Sequence, residues 1–449
     1  MVKEMTRNIG IQATKKYLSK NMRPHMPEVL RGKGILVYDK KGNEFFDLTS
    51  QTMNLNLGHG NQAIIGAVRR LLNKKEFTYY VSPWFESSYT VELASKLISL
   101  APKGLARVNM QMCNGSDANE DAFKRVRKYH LKHNPYRRSM IMSFYGSHLG
   151  VSSETISASG EHFGKEAYLG GSGNFVFMEP CNVYRRPQEM SVEEYSKMKV
   201  DEFEKIVVKR GGDIAGVITE LVSFDAGILV QPKTFIKGIE RVCRDQDIAL
   251  IIDEVQTAFG WCGDIFASNI YGIRPSIITM AKGLTAGFPA LAASIFRDKY
   301  DILEPGTSEY TFGAQSISCT AALANINHLL NSKLPEKAKE KGNKFMRRLG
   351  EMKEKYPMIG DVRGIGLIIG IEFIRPDGSP NQDIAMRVYN ETLKRGLLVN
   401  PPILDDGKDN IIGLKPPVII TEEEIDKAMD RFDESLGAVA RRISGTKHG

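Results

Sequence analysis

A lysine behind an apolar run is the first residue whose type and position favour chemistry. Lys282 follows the run Ser276 to Met280 by two residues, and small residues come after it. A lysine beside an apolar wall loses its charge more readily than a solvated lysine, and its neutral amine can form a Schiff base with a carbonyl. A surface lysine is the common alternative, so this position needs support from the rest of the sequence.

A carboxylate closes a second apolar run. Asp253 ends the run Ile248 to Asp253, and in an open parallel sheet ligands bind at the carboxyl ends of the strands. A buried carboxylate is costly unless it faces a cation or hydrogen-bond donors. A protonated pyridine nitrogen would be such a cation. A helix cap or a local turn is the alternative for Asp253.

A glycine and a hydroxyl stand at the start of a predicted helix. Gly115 and Ser116 immediately precede the helix expected from Asp117 to Lys132. Backbone N–H groups at a helix start, together with a serine hydroxyl, bind phosphate well. An ordinary N-cap would require the same residue types, and that alternative stays open.

Two aromatic residues lie at the end of a third apolar run. Phe144 closes the run Ser139 to Phe144, and Tyr145 follows it. An aromatic ring at a strand end can lie flat on a ring-shaped cofactor, and core packing is the alternative. The four features together supply a phosphate cradle, an aromatic face, a counter-ion and a nucleophilic lysine. Such a set is what a site for pyridoxal phosphate (PLP) requires.

Apolar runs alternate with amphipathic segments through the middle of the chain. This order indicates strand-helix-strand units, and therefore an α/β fold with a mainly parallel sheet covered by helices. The predicted strands are Ser139 to Phe144, Gly216 to Glu220, Ile248 to Asp253, Ser276 to Met280 and Ala290 to Phe296. The predicted helices between and before them are Val91 to Leu100, Asp117 to Lys132 and Phe235 to Arg244.

The two ends of the chain show a different pattern. Two long helices are predicted at Leu334 to Lys355 and Glu422 to Leu436, with a strand that has glycine bends at Asp361 to Phe373. A small hairpin is predicted at Gly34 to Asp47. We therefore expect a large PLP-binding domain at residues 76–318 and a smaller α+β domain formed by residues 319–449. The N-terminal segment, residues 1–75, is expected to belong to the smaller domain.

Composition excludes several classes of protein. The chain has 449 residues and a formal net charge of +8, from 61 Lys and Arg against 53 Asp and Glu. This excess is small for the length, and the basic runs are short, so we expect no nucleic-acid partner. No apolar run reaches the ~18 residues that cross a bilayer, and no signal core is present, so we expect no membrane association.

The cysteines indicate the compartment. Five cysteines are widely spaced and no CxxC occurs. An odd number at such spacing argues against a disulfide framework and against a zinc site. We therefore expect a cytoplasmic protein without a bound metal.

The sequence resembles a known family nearly from end to end. It is similar to the class III (ω-type) aminotransferases of the PLP-dependent fold-type I superfamily. The most specific part of the resemblance is a hydrophobic strand that ends in Asp253-Glu254-Val255-Gln256-Thr257 and is followed by Ala281-Lys282-Gly283. Further matching stretches are Leu57 to Gly60, Asn114 to Glu120, Ile218 to Glu220, Tyr310 to Gly313, Val362 to Leu367 and Pro416 to Thr421.

The resemblance implies a role for each matching residue. Lys282 carries the cofactor and then moves the proton, and Asp253 keeps the pyridine nitrogen protonated. At the phosphate, the implied contacts are Gly115, Ser116 and the Asp117 backbone, and Thr311 is implied at the phosphate of the neighbouring subunit's cofactor. At the ring, Phe144 is implied to stack with Tyr145 beside it, Val255 to pack against it and Gln256 to bond the phenolic oxygen. Glu220 is implied to lie on the substrate side. A homodimer with active sites at its interface follows from the role of Thr311.

The chain departs from the family where the substrate is recognised. Many members place an arginine three residues before the Pro-Pro pair to hold a substrate carboxylate, and this chain has Gly413 there. Lys415 or Arg363 could substitute, or the donor presents a different group. Trp84 and Phe85 fall in the substrate-facing loop and could form an apolar wall, with core packing as the alternative.

The implied reaction is transfer of an amino group from an amine or amino acid donor to a keto acid or other carbonyl acceptor. Relatives in the same family include amino-acid racemases or epimerases and a decarboxylase. A racemase would return the proton to the opposite face of the same carbon. A non-catalytic binding protein on the same fold is a further alternative, which the presence of Lys282 and Asp253 disfavours.

Overall fold

The computed structural model describes residues 29–78, 80–133, 138–161, 173–210, 212–402 and 409–445. The strands, in chain order, are β1 (Val29–Lys33), β2 (Leu36–Asp39), β3 (Glu44–Asp47), β4 (Arg107–Met112), β5 (Met140–Phe144), β6 (Phe175–Met178), β7 (Ile214–Glu220), β8 (Val222–Ser223), β9 (Leu229–Val230), β10 (Ala249–Asp253), β11 (Ile277–Met280), β12 (Ala292–Phe296), β13 (Ile359–Ile365), β14 (Ile368–Phe373), β15 (Leu397–Leu398) and β16 (Ile411–Leu414).

The helices surround these strands. In chain order they are α1 (Ser50–Met53), α2 (Gln62–Leu72), α3 (Ser88–Leu100), α4 (Gly115–His133), α5 (Ser153–Ala158), α6 (Val192–Lys209), α7 (Lys233–Asp245), α8 (Ala267–Tyr271), α9 (Ser316–Asn331), α10 (Leu334–Lys355), α11 (Gln382–Lys394) and α12 (Glu422–Gly445). Short 3-10 turns lie at Val183–Arg185, Lys282–Thr285 and Asp298–Tyr300.

A seven-stranded sheet forms the centre of the molecule, in the order β4-β12-β11-β10-β7-β5-β6. Strand β12 runs antiparallel to both of its neighbours, and the strands from β11 to β6 are parallel. All residues of β7 and β10 are buried. Strands covered on both faces need apolar side chains at every position, which is why these segments read as continuous apolar runs. The predicted α/β fold with a mainly parallel sheet is confirmed.

Helix α7 shows how the covering layer forms. Its buried residues Phe235, Ile236, Ile239, Val242 and Cys243 recur at helical spacing. They form one apolar face that covers the sheet, while the opposite face carries charged residues. Pro232 precedes the helix, where its fixed φ and missing N–H do no harm.

The sequence predicted the central strands and missed the two at the edges. Strand β4 lies at one edge and β6 at the other. In β4, Arg107, Asn109 and Gln111 alternate with apolar residues, so no continuous apolar run marks this strand.

The strand predicted at Asp361 to Phe373 is a hairpin of β13 and β14. Its turn uses Gly366 at φ +55, where a Cβ would lie 2.1 Å from the Trp261 carbonyl oxygen.

The N-terminal strands pair with the C-terminal part of the chain. The predicted hairpin forms as β2 and β3, and β3 then pairs in parallel with β15. The predicted boundary at residue 318 falls in the first turn of α9. The division into domains stays a prediction, and its residues 1–28 and 446–449 lie outside the described ranges.

Glu391 joins the last two helices through three cations. It accepts hydrogen bonds from Lys394 Nζ at 2.8 Å and Arg442 Nη1 at 2.9 Å, and it also binds Arg395. These partners, Lys394 first, lower the pKa of Glu391 to about 2. A carboxylate with a depressed folded-state pKa stabilises the fold above its unfolded pKa of ~4.3, and this stabilisation is lost as the pH falls towards 2.

We predict that Glu391→Gln lowers the free energy of unfolding at pH 7 by about 1 kcal/mol. The full shift would correspond to roughly 3 kcal/mol, but Lys394 and Arg442 are each 64% exposed, so solvent screens the interaction. Urea unfolding at pH 7 and at pH 4 measures the effect, and the difference from the wild type should shrink at pH 4. Glu434→Gln is the matched control, since Glu434 is 69% exposed and 3.7 Å from Arg395. An equal loss in both variants would contradict the prediction.

Candidate active site

A cavity of about 610 Å³ opens at the carboxyl ends of the central strands. Its wall combines the loop after β4 with the start of α4, the loop after β5, the end of β10 and the turn after β11. Lys282 and Asp253 both line it, as do Gly115, Ser116 and Gln256. The structure therefore brings together residues that the sequence separates widely.

Lys282 lies on a strained turn. Its φ is +31, a region that side chains other than glycine rarely adopt. Asn325 on α9 fixes the turn, because its side-chain amide donates to the carbonyl oxygens of Gly283 at 2.7 Å and Leu284 at 3.0 Å. The Lys282 amine makes no hydrogen bond or ion pair with a residue that the structure describes. Burial lowers the pKa of Lys282, although Asp225, Asp253 and Glu220 oppose this shift.

Asp253 is held by two donors at the end of β10. Asn119 Nδ2 donates to Oδ2 at 2.8 Å, and the Val255 N–H donates to Oδ1 at 2.8 Å. Thr279 Oγ1 in turn donates to Asn119 Oδ1 at 2.7 Å, which fixes the amide orientation of Asn119. Burial raises the pKa of Asp253, and these donors limit the rise. Each oxygen keeps a lone pair for a cationic donor in the cavity.

Asn119 was not among the predicted site residues. It lies one turn into α4, on the face of Gly115, so it reaches Asp253 only because α4 packs against the sheet. The sequence carried one usable signal, because Asn119 belongs to the motif Asn114 to Glu120 on which the family resemblance rests.

The start of α4 fits a phosphate group. Gly115 and Ser116 are the first two residues of the helix, so no preceding helical turn supplies acceptors for their N–H groups. The Asp117 N–H, for which the resemblance implied a phosphate contact, donates to Asn114 Oδ1 at 3.1 Å. The Asp117 carboxylate accepts from the N–H groups of Cys113 and Asn114 and thereby stabilises the loop.

Gly150 keeps the space beside Ser116 open. It has a φ of +135, and a Cβ there would lie 2.3 Å from Ser116 Oγ. A Cβ at Gly115 would meet the methyl groups of Val255 at 3.1 and 3.2 Å. The start of α4 and Val255 are therefore in close contact.

The two aromatic residues predicted at the cofactor ring, Phe144 and Tyr145, contact other aromatic side chains. Phe144 is buried and packs edge-on against Phe235, and Tyr145 stacks on Phe177. Neither residue is part of the cavity wall, whereas His148 is. His148 Nδ1 lies 2.6 Å from Glu161 Oε1, and this hydrogen bond raises the pKa of His148.

Glu220 lies behind the cavity wall. It is opposite Asp253 in the register of β7 and β10, is buried, and accepts from Ser223 Oγ at 3.0 Å. Burial first, and then Asp253 and Asp225, raise its pKa well above the usual value. The residues described around Lys282 thus include several carboxylates and few cations.

The two residues predicted to bind a substrate carboxylate, Arg363 and Lys415, both bond other groups of the protein. Arg363 binds Asp361 at 2.9 Å and Glu372 at 2.7 Å, and it donates to the Gly227 carbonyl oxygen. The Lys415 side chain is fully buried and bonds Gln256. Neither lines the cavity of the isolated chain.

Gly413 is packed against two apolar side chains. A Cβ there would lie 2.9 Å from Phe224 Cζ and 3.0 Å from Ile228 Cδ1. An arginine side chain would need the space that these two residues occupy. The family's arginine is therefore replaced by apolar packing in this chain.

The remaining predicted residues lie on the surface of this chain. Trp84 is 87% exposed and Phe85 71% exposed, and Thr311 is exposed as well. None of the three lines the cavity of the isolated chain.

In the part of the chain that the structure describes, no group of His, Cys, Asp or Glu side chains is placed to hold a metal ion. No described helix is both long and apolar enough to span a bilayer.

Comparison with known proteins places the chain in a family. Residues 17–436 match the profile of the family described as aminotransferase class-III. The chain is 32% identical to an uncharacterized aminotransferase, YhxA, of Bacillus subtilis, over 91% of each chain. It is 31% identical to a leucine/methionine racemase of Thermococcus litoralis, over 91% of this chain and 90% of the relative. An aminotransferase structure from Bacillus anthracis superposes with a TM-score of 0.89 at 26% identity, covering 98% of this chain and 100% of that one.

Proposed function

The chain belongs to the aminotransferase class-III family, and on this premise we propose how Lys282 and Asp253 carry out its chemistry. The protein is a transaminase that transfers an amino group with PLP. The observation that carries the proposal is that Lys282 and Asp253 line one cavity, and that the lysine forms no ion pair with Asp253 or with any other described residue.

The cofactor fits the residues around the cavity. Gly115 and Ser116 would bind its phosphate, Val255 would pack on its ring and Gln256 would donate to its phenolic oxygen. PLP supplies an electron sink for the carbanion that forms at the donor carbon. Asp253 would keep the ring nitrogen protonated, because a buried carboxylate with a free lone pair binds a cationic N–H strongly.

Lys282 would act as the general base and acid. Its lowered pKa yields a larger fraction of neutral amine near pH 7 than an ordinary lysine has, and a neutral amine can accept a proton. Lys282 has a strained φ in the turn after β11, and the residue lines the cavity. The amine would remove the proton from the donor carbon and deliver it to the adjacent cofactor carbon.

We propose further that the donor is recognised without an α-carboxylate clamp. Lys282 is the one Lys or Arg among the described residues of the cavity wall. Gly413 leaves no space for an arginine, and Arg363 is held by two carboxylates. Among the described residues, no lysine or arginine other than Lys282 is therefore placed to give a charge-assisted bond to a donor carboxylate.

Two properties of the holoenzyme complete the proposal. The exposed Thr311 would bind the phosphate of the cofactor in a second subunit, which requires a dimer. Sedimentation at the mass of a single chain would contradict the dimer.

The protein would be located in the cytoplasm, since all five cysteines are free and four of them are buried. Recovery of the protein in a periplasmic or secreted fraction would contradict this assignment.

Lys282→Ala tests the central role. We predict loss of the visible absorbance of the bound cofactor and a fall in kcat of at least about 10³-fold, because both the covalent attachment and the proton carrier are removed. Absorbance spectra and transamination assays measure the two effects. Lys299→Ala is the control, because Lys299 is a partly exposed lysine that pairs with Asp247 outside the cavity. Full activity in Lys282→Ala would refute the assignment.

A matched pair of donors tests the recognition of the substrate. Propylamine and 2-aminobutyrate differ by one carboxylate. We predict that kcat/KM for 2-aminobutyrate exceeds that for propylamine by less than tenfold, since a charge-assisted clamp would be worth about 1.5–3 kcal/mol, or roughly 10- to 150-fold. The rate of bleaching of the cofactor's visible band gives both values. A preference of a hundredfold or more for the amino acid would overturn the prediction.

Racemisation is the second candidate function, favoured by the 31% identity to a leucine/methionine racemase. It needs a second proton donor on the other face of the cofactor, and the described cavity wall offers Cys113, Asp117 and His148 as titratable side chains besides Lys282 and Asp253. We predict instead that the enzyme turns over only when a carbonyl acceptor is present. Chiral chromatography after incubation of a single amino-acid enantiomer without acceptor decides between them. Appearance of the opposite enantiomer would establish the racemase.

A further inference from the structure

Lys415 is a buried lysine that bonds a residue of the active site. Its Nζ lies 2.7 Å from the Gln256 carbonyl oxygen, 3.1 Å from Gln256 Oε1 and 3.3 Å from the Met53 carbonyl oxygen. The Trp261 ring also packs against the amine, with its centroid 3.9 Å from Nζ. The Lys415 side chain is fully buried, so the cavity does not reach it.

These contacts fix the orientation of the Gln256 amide. Burial lowers the pKa of Lys415 well below its usual value. In its ammonium form the side chain has three donors and no acceptor, and the three oxygens around Nζ are acceptors. In that form Lys415 requires Oε1 of Gln256, and not Nε2, on its side. Gln256 lines the cavity, and its Nε2 has no hydrogen-bond partner among the described residues. The amide N–H groups are thus left for a ligand in the cavity.

Hydrogen bonds that do not involve the Lys415 amine fix the main chain at residues 415 and 416. The Lys415 carbonyl oxygen accepts from Ser50 Oγ at 2.6 Å, and the Lys415 N–H donates to the Leu48 carbonyl oxygen at 2.7 Å. Trp261 Nε1 donates to the Pro416 carbonyl oxygen at 2.9 Å. An apolar side chain of the same length would fill the same space without the cost of burying an amine. The main-chain path at residues 415 and 416 therefore does not require the amine, whose donors are directed to Met53 and Gln256.

We propose that Lys415 is a positioning residue that holds the Gln256 amide with Nε2 towards the phenolic oxygen of the cofactor. This inference rests on the proposed placement of PLP beside Gln256. Without Lys415, the amide could turn by half a rotation about χ3 and present Oε1 to the same oxygen. Two oxygens would then face each other, and the donor would be lost.

The consequence appears in the protonation of the linkage between Lys282 and the cofactor. A donor at the phenolic oxygen stabilises its negative charge most when the neighbouring linkage nitrogen has lost its proton. The donor therefore favours loss of that proton and lowers the pH at which it occurs. Removal of the donor raises the pH midpoint. The expected rise is about one pH unit, as for loss of one hydrogen bond to a charged group.

The experiment is a pH titration of the visible absorbance of four holoenzymes: wild type, Lys415→Met, Gln256→Leu and the double variant. We predict that Lys415→Met raises the midpoint by about one unit, that Gln256→Leu raises it at least as much, and that the double variant equals Gln256→Leu. Lys199→Met is the matched control, because Lys199 is a buried lysine bonded to Glu202 at 2.6 Å and does not line the cavity. Its midpoint should equal that of the wild type.

The outcomes separate this inference from the proposed function. A raised midpoint in Gln256→Leu with an unchanged midpoint in Lys415→Met overturns the positioning role, even if Lys415→Met melts at a lower temperature. An unchanged midpoint in Gln256→Leu contradicts the placement of the cofactor instead. If Lys415→Met does not fold, a crystal structure of the wild-type holoenzyme replaces it. A Gln256 amide turned away from the phenolic oxygen there would overturn the inference.

Discussion

The active site depends on two opposite charges that the protein encloses in one cavity and keeps from pairing. Lys282 has no ion pair among the described residues, and Asp253 is bonded by neutral donors from Asn119 and Val255. Burial lowers the pKa of the lysine and raises that of the carboxylate, so each is destabilised in its charged form. A cofactor with a carbonyl at one position and a basic ring nitrogen at another satisfies both groups together.

The parallel sheet makes this arrangement possible. Strands β10 and β11 are neighbours, with Asp253 paired in register with Thr279, and Lys282 follows three residues later. Two charged side chains therefore emerge at the same edge of the sheet from adjacent strands. The αL-like φ of Lys282 and the Asn325 hydrogen bonds then hold the lysine in the turn. The strain of this turn is offset by packing of α9 on its other side, as is common at functional sites.

The sequence predicted the parts of the site that depend on local pattern. Lys282, Asp253, Gly115 and Ser116 each follow a strand or begin a helix, and strand ends and helix starts can be recognised without tertiary structure. It did not predict the bond of Asn119 to Asp253, 134 positions apart, or that of Lys415 to Gln256, 159 positions apart. Nor did it predict the direction of the Phe144 side chain, which depends on α7, because that helix supplies Phe235 as its contact. The substitution at Gly413 was visible in the sequence, but its cause, packing of Phe224 and Ile228, was not.

The central claim is that Lys282 carries the cofactor. Reduction of the holoenzyme with borohydride, followed by proteolysis and mass spectrometry, locates the attachment directly, because reduction makes the bond between the amine and the cofactor permanent. The account predicts that the peptide containing Lys282 alone gains the mass of the reduced pyridoxyl phosphate group. The same mass on another lysine, or on none, would contradict it.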